Sequence, residues 1–414
     1  MATRHDPADE PFFREWQQRQ PNERRSLDRA SQLKTLLDLE NVSLPILSVV
    51  GSKGKGTIAV YASATLTAAG LCVGTLTSPS MLSNRERIRV AGSSILPQEY
   101  NDISQRLSAL LHLLPPRHPG DGYLAPTGLF TLAAVRHFID SRCDVMVLEA
   151  GMGGRSDEVS LFPPTVLAVG SIFGEHIGLL GANPSEIAEE KIGIATNETR
   201  SVLSMPQTQD VSIILEKAVG KQLRYLDSRQ MNARIIDKLK LPPGFSRGNA
   251  ILGITAGLQL AQECGINSPS SANLRRVIST VSYPGRLSVH NVRGAQWVLD
   301  AAVDERGVAT ALEWCKRNVG YPDQIFVSFP DSKDVSGAQR AVYGYEYLAV
   351  RFDAPHLKYS SELWPKPLIS VEEVSTLAVG KCVLMVGTMS FIAYVLDIIG
   401  ANLEHLYKPL PHES

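Results

Sequence analysis

The chain has 414 residues, of which 44% are hydrophobic and 20% charged, with a formal net charge of −1. That is the balance of a globular protein long enough for two cores, and Lys and Arg spread evenly along it exclude the basic stripe of a nucleic-acid or anionic-membrane binder. No apolar run approaches the ~20 residues of a bilayer span, and the N-terminus has no apolar stretch of signal-peptide length, so the expected location is the cytoplasm.

In chain order, residues 1–20 read as a loose or extended arm. Residues 22–39 carry Leu27, Leu33, Leu36 and Leu37 at helical spacing. LPILSVV (44–50) reads as a buried strand, followed by a glycine-rich turn and then an apolar helix closed by Gly70. VMVLEA (145–150) and PTVLAVGSI (164–172) are again buried-strand runs. Residues 183–195 open with a helix start: Asn183 as N-cap, Pro184 in the first turn, Glu186 completing a capping box. A further helix over 249–265 is closed by Gly265. Strands alternating with helices predict an α/β fold with a mostly parallel sheet.

YPGRLSVH (283–290) reads as a boundary. Beyond it strand and helix alternate afresh, through QWVLDA (296–301), ALEWCKR (311–317), IFVSF (325–329), CVLMVGT (382–388) and SFIAYVLDIIG (390–400). The expected division is a larger domain over 1–289 and a smaller α/β domain over 290–414, with no internal repeat. The five cysteines, Cys72, Cys143, Cys264, Cys315 and Cys382, are widely spaced in apolar contexts. They read as buried thiols in a reducing compartment, not as a zinc site.

Gly51-Ser52-Lys53-Gly54-Lys55-Gly56-Thr57 is the most informative stretch. Glycines let backbone N–H groups converge on phosphate oxygens, and the following helix adds the positive end of its dipole. Lys55 is placed to reach the outer phosphates of ATP, and Thr57 offers a hydroxyl to phosphate or magnesium. One glycine separates Lys55 from Thr57, so the spacing is not that of the usual G-x-x-x-x-G-K-[ST] loop.

That variant resembles the GTNGKGS loop of folylpolyglutamate and dihydrofolate synthases, members of the Mur ligase superfamily. Further segments match in order: LTSPSMLSNRERIRVAG (76–92), VLEAGMGGRSDE (147–158), GEHIGLLGANPSEIAEEKIGIA (174–195), Asn249, YPGRLSV (283–289), LDAAVDERG (299–307) and VGT (386–388). The resemblance implies a P-loop Mur-ligase-type domain with a smaller Rossmann-like C-terminal domain. It implies activation of a carboxylate as an acyl phosphate, displacement by an amine, and release of ADP and phosphate. It assigns Lys55, Glu149, His176 and Lys191 to catalysis. It assigns Ser78, Glu149, His176 and a carbamylated Lys191 to Mg2+, and Asn249, Arg286 and Asp300, with the Gly51–Thr57 loop, to ATP. The implied partners are a small carboxylic acid and an amino acid or amine, with no nucleic acid or membrane. A monomer or small homo-oligomer is expected.

Departures from the family pattern cluster. Val303 stands where the family has a histidine, Ser80 where one is common, Glu175-His176 replaces an Asp-His pair, and Gly128 lies where a charged side chain is usual near the pterin-bearing substrate. The expectation is therefore an amide-forming ligase acting on a non-folate acid or amine in a specialised pathway. The alternatives are a true folylpolyglutamate or dihydrofolate synthase, with residues such as Asp304 or Lys333 taking over lost contacts, and an ATP-binding scaffold.

Overall fold

β-Branched and aliphatic runs between glycine turns build the strands of a computed structural model. It describes residues 6–118, 120–175, 177–227, 234–354, 357–378 and 380–411. The chain divides into two compact units. The larger contains Asp6–Ser80, Asn84–Val281 and residues from 404 onward; the smaller contains Met81–Ser83 and Ser282–Leu403. The division after Val281 differs from the expected one after residue 289. Ser288–Val292 is a strand that pairs antiparallel with Ala295–Asp300, so the linker lies earlier. Residues 404 onward leave the second unit because Glu404 O accepts from Ser94 N at 2.9 Å and Arg85 pairs with the Glu404 carboxylate at 2.6 Å.

Among the described residues the larger unit holds eight strands: β1 (Ile46–Val50), β2 (Val73–Leu76), β3 (Ile88–Val90), β4 (Ser93–Ser94), β5 (Val145–Glu149), β6 (Val166–Val169), β7 (Ser201–Ser204) and β8 (Leu223–Tyr225). They form one sheet in the order β4-β3-β2-β5-β1-β6-β7-β8. The pairs from β2 to β8 are parallel, and β3 and β4 add an antiparallel edge. Every residue of β1 and β5 is buried, as continuous apolar runs covered on both faces require. β1 runs into the glycine loop and the helix Lys55–Ala68; β5 ends on Glu149.

The expected helices form over Leu27–Leu36, Lys55–Ala68, Pro184–Ile192 and Gly244–Glu263. Asn183 Oδ1 caps Glu186 N at 3.0 Å. The N-terminal arm is not extended. Glu10–Gln17 is a helix, and Phe12 is fully buried against Phe130, ring centroids 4.1 Å apart. Phe13 adds an edge-on contact to the same ring, so a short aromatic pair docks a helix that the polar composition concealed. The first five residues lie outside the described ones.

The smaller unit has strands β9 (Ser288–Val292), β10 (Ala295–Asp300), β11 (Gln324–Ser328), β12 (Tyr347–Arg351), β13 (Ile369–Ser370) and β14 (Cys382–Gly387). Their order is β13-β12-β11-β14-β10-β9, parallel except for β9. Its helices Glu305–Asn318 and Met389–Ile398 cover the elements read from the sequence. No described helix is long and apolar enough to cross a membrane.

All five cysteines are free thiols, but Cys72 and Cys264 are half-buried rather than buried. Both sit at the ends of elements, where the apolar run gives way to solvent.

Candidate active site

The phosphate loop leaves β1 through Gly51 at φ +144°, where a Cβ would lie 3.0 Å from Gly170 Cα. Only glycine allows these two backbones to approach so closely. Ser52 N donates to Ser171 O at 2.9 Å, and Ser52 Oγ receives Phe173 N at 3.1 Å, tying the loop to the segment after β6. Lys53 is exposed, its ammonium 5.8 Å from the Phe173 ring centre. Gly54, at φ +84°, is the N-cap of the Lys55–Ala68 helix and supplies no side-chain cap. Gly56 and Thr57 are buried in the first turn. Uncapped first-turn N–H groups on a helix of this length favour an anion.

Charge is concentrated here. Lys55 Nζ and Lys191 Nζ both donate to Gly51 O, at 3.1 and 3.0 Å. Lys191 is fully buried. It also donates to Met152 O at 2.6 Å and pairs with Glu175 at 3.1 Å. Burial, and then Lys55, lower its pKa, while Glu175 opposes them. Three oxygen partners make this the environment of an ammonium. A carbamate at Lys191 would place its negative charge against Glu175.

Asn249, on the Gly244–Glu263 helix, is fully buried, and neither its amide oxygen nor its amide nitrogen has a hydrogen-bond partner. It lies against the loop: a Cβ at Gly54 would fall 2.1 Å from Asn249 Nδ2. A buried amide with both atoms unpaired costs stability that a ligand can recover.

Glu149, only 4% exposed, accepts from Ser78 N at 2.9 Å. A small void of about 10 Å³ is lined by Ser78, Glu149, Thr127, Arg87 and Gly151, among others. That volume suits a single atom-sized guest, and a carboxylate with a hydroxyl is a hard oxygen donor set, so these two residues fit Mg2+. His176, the remaining expected metal residue, lies outside the described residues. Among the described residues no three His, Cys, Asp or Glu side chains cluster as metal ligands.

The expected set omitted Arg87, although it lies within the NRERIR run. Arg87 is buried and donates to Ser78 Oγ at 2.9 Å and to Asn84 Oδ1 at 2.9 Å, with its guanidinium 4.9 Å from the Phe130 ring centre. Asn84 Nδ2 in turn donates to Asp9, which also accepts from Tyr100. A hydrogen-bonded chain therefore runs from the N-terminal arm to Ser78, and Ser80 Oγ joins it at Asn84.

The room left by Gly128 is filled. A Cβ there would lie 2.2 Å from Cδ of Glu158, which is fully buried. Arg25 bridges Glu158 Oε2 at 2.8 Å and Asp157 Oδ2 at 3.1 Å, and Arg25 also donates to Thr127 Oγ1. Burial, aided by Asp157 and opposed by Arg25, pushes the Glu158 pKa up to about 7. The space beside Gly128 is thus taken by the Glu158 carboxyl, itself paired with Arg25.

In the smaller unit, Asp300 ends β10 and accepts from Leu287 N at 2.9 Å. Enclosure raises its pKa to about 6 against the pull of nearby Arg286. Arg286 Nη1 donates to Gly285 O. Val303 is half-buried against this unit's core. Asp304 caps the Glu305–Asn318 helix, its Oδ1 receiving Gly307 N at 2.8 Å.

No protein-family model matches the chain. It is 27% identical over 374 residues to the dihydrofolate synthase/folylpolyglutamate synthase of Bacillus subtilis, covering 83% of this chain and 85% of that protein. The chain is a relative of the folylpolyglutamate and dihydrofolate synthases. It is also 26% identical over 312 residues to a putative folylpolyglutamate synthase of Caenorhabditis elegans, where the match spans 70% of this chain and only 60% of that protein. The apo form of L. casei FPGS superposes with a TM-score of 0.76 at 20% identity, covering 92% of this chain and 97% of that one. Mycobacterium tuberculosis folylpolyglutamate synthase complexed with ADP and AMPPCP gives 0.73 at 22% identity, covering 92% and 96%. The two-sheet, mostly parallel α/β architecture is the Mur-ligase-type fold of these synthases.

Proposed function

We propose that the protein joins glutamate to a folate-type carboxylate, with ATP as the energy source. That it is an ATP-dependent, C–N bond-forming ligase follows from its relatedness to the synthases. The acid, the amine and the residue roles are the proposal, as is a cytoplasmic setting. The observation that carries the nucleotide part is the convergence of Lys55 and Lys191 on one carbonyl oxygen beside the unpaired Asn249 amide. Two ammonium groups that close repel each other, and phosphate oxygens relieve the repulsion.

In this reading the Gly51–Thr57 backbone and Lys55 bind and orient the phosphates. Asn249 completes the loop's contact with the nucleotide. Glu149 and Ser78 would hold Mg2+, which supplies neutralising charge when bound, and Arg87 holds the Ser78 hydroxyl in place. Arg286 and Asp300 keep a proposed role toward ATP by resemblance alone. His176 keeps its proposed metal role by resemblance alone. Carbamylation of Lys191 requires the neutral amine, which burial and Lys55 favour and Glu175 disfavours. Intact mass measured in bicarbonate tests it, since a carbamate adds one carbon dioxide.

The folate reading is preferred to a non-folate acid for two reasons. The relatives are named for folate chemistry, and the Glu158 carboxyl occupies the room Gly128 leaves. One observation favours the non-folate reading: Val303 packs into the smaller unit's core, and Asp304 is engaged as a helix cap. The deciding experiment is ADP release from MgATP across dihydropteroate, tetrahydrofolate and unrelated aryl or aliphatic acids, each with a panel of amino acids. Preference for a folate acid with glutamate supports the proposal; a clear preference for another pair overturns it.

A further inference from the structure

We infer that Cys72 and Cys143 form a reversible thiol–disulfide site, oxidised by hydroperoxides, that staples β2 to β5 at their entry ends. Cys72 immediately precedes β2, and Cys143 lies just before β5, its parallel neighbour. The two backbones are locked side by side. Asp144 N donates to Cys72 O at 2.8 Å, and Cys72 N donates to Asp144 Oδ2 at 2.7 Å. The sulfurs stand 4.0 Å apart. A disulfide needs the sulfurs at ~2.05 Å, so the gap to close is small, and the neighbouring strand pairing holds the two backbones together.

The pair is asymmetric in the way oxidation requires. Cys72 is half-buried and so reachable from solvent, while Cys143 is buried. Its hydrogen bond with Cys143 holds Cys72 below its ordinary pKa, against burial and Asp144. Thiolate character and access together select the sulfur that reacts first.

The chemistry balances in two steps. The Cys72 thiolate attacks a peroxide oxygen, the O–O bond breaks, and the alcohol or water leaves with a proton. Sulfur is oxidised by two electrons to the sulfenic acid as the hydroperoxide is reduced. The Cys143 sulfur then attacks that sulfur, the S–S bond forms, and water leaves with the sulfenic oxygen and the thiol proton.

A second pair provides the contrast. Cys315 and Cys382, in the smaller unit, have sulfurs only 3.5 Å apart, but both are buried. Proximity without access leaves them reduced in the native protein. The Cys72–Cys143 bond closes the excursion that carries Ser78, Arg87 and Thr127, so its effect is stabilisation of that segment.

The test uses the full chain, reduced and freed of reductant, then exposed natively to a small excess of hydrogen peroxide. Alkylation after denaturation should find three thiols in place of five, with one peptide linking Cys72 to Cys143. Apparent Tm should rise by roughly 5–10 °C and fall back with dithiothreitol. Cys143→Ser should yield a Cys72 sulfenic acid trapped by a 1,3-dione, and Cys72→Ser, at the half-exposed site, should keep all its remaining thiols. Five surviving thiols, a Cys315–Cys382 link formed first, or equal thiol loss in Cys72→Ser would each overturn the inference. None of these readouts depends on which acid or amine the enzyme uses.

Discussion

Two buried charged regions of the larger unit, both at the sheet end where β5 finishes, are built on opposite terms. Around the glycine loop, Lys55 and Lys191 crowd one carbonyl and the Asn249 amide is unpaired. Beside Gly128, the buried Asp157 and Glu158 share the half-buried Arg25 as a counter-charge. The first arrangement is incomplete without an anion. The second offsets carboxylate charge with its own cation, although Glu158 Oε1 has no hydrogen-bond partner, and burial raises that carboxyl's pKa. What separates the two regions is therefore the crowding of like charge at the glycine loop, not unsatisfied polarity alone.

Lys55→Ala is the strongest test of the incomplete region. If the loop holds ATP as proposed, losing this lysine should reduce ATP turnover by about 10²–10³-fold, roughly 3 kcal/mol, with little change in melting temperature. Steady-state ADP release alongside thermal unfolding checks it. Retained turnover would mean that the loop does not bind phosphate.

Arg25→Ala attacks the self-neutralised region instead. It leaves two carboxylates, each 1% exposed at the side chain, without their cation. Breaking a buried pair in this way should destabilise the fold by about 3 kcal/mol at neutral pH. Denaturant titration should show part of the loss recovered under mildly acidic conditions, where the carboxyls protonate. An equal loss at every pH would place the damage in packing rather than charge.

Glu158→Gln sharpens the same point through its sign. The folded pKa of about 7 lies above the ordinary 4.5. The folded state therefore binds the extra proton between these values. This contribution is full below pH about 4.5 and is lost as pH rises through about 7. Wild-type stability should accordingly fall on the order of 3 kcal/mol across that window from this group alone. The Gln variant should flatten the fall, as read by urea unfolding at several pH values.

What the sequence made legible follows from how local each rule is. The glycine loop and the Asn183–Pro184 helix start depend on backbone geometry within a few residues, and both formed where the residues indicated. The N-terminal helix did not announce itself, because its eight residues bury little beyond Phe12, and the partners Tyr100 and Phe130 are distant in sequence. Arg87 was hidden among the charges of NRERIR, where composition favours an exposed turn and only tertiary structure shows burial. The exchange of Gly128 for Glu158 was invisible for the same reason: a residue on one helix was compensated from a separate turn. The Ser78–Glu149 contact was readable only as resemblance, since neither residue's neighbours specify the other.

The smallest expected effect separates the two regions most cleanly. Asn249→Ala removes two buried amide atoms that hydrogen-bond to nothing. In a self-satisfied site, removing a polar side chain leaves partners orphaned and costs stability. Here no partner is left behind, and the penalty of burying the amide disappears with it. The small void created by truncation offsets part of that gain, so thermal stability should be unchanged within about 0.5 kcal/mol or slightly higher. If the amide is held for the nucleotide, ATP affinity should fall by about tenfold, or 1.4 kcal/mol, which calorimetric titration with a nonhydrolysable analogue would read. A variant that loses stability while keeping affinity would make Asn249 a packing residue of the loop, and the incomplete region would shrink to its two lysines.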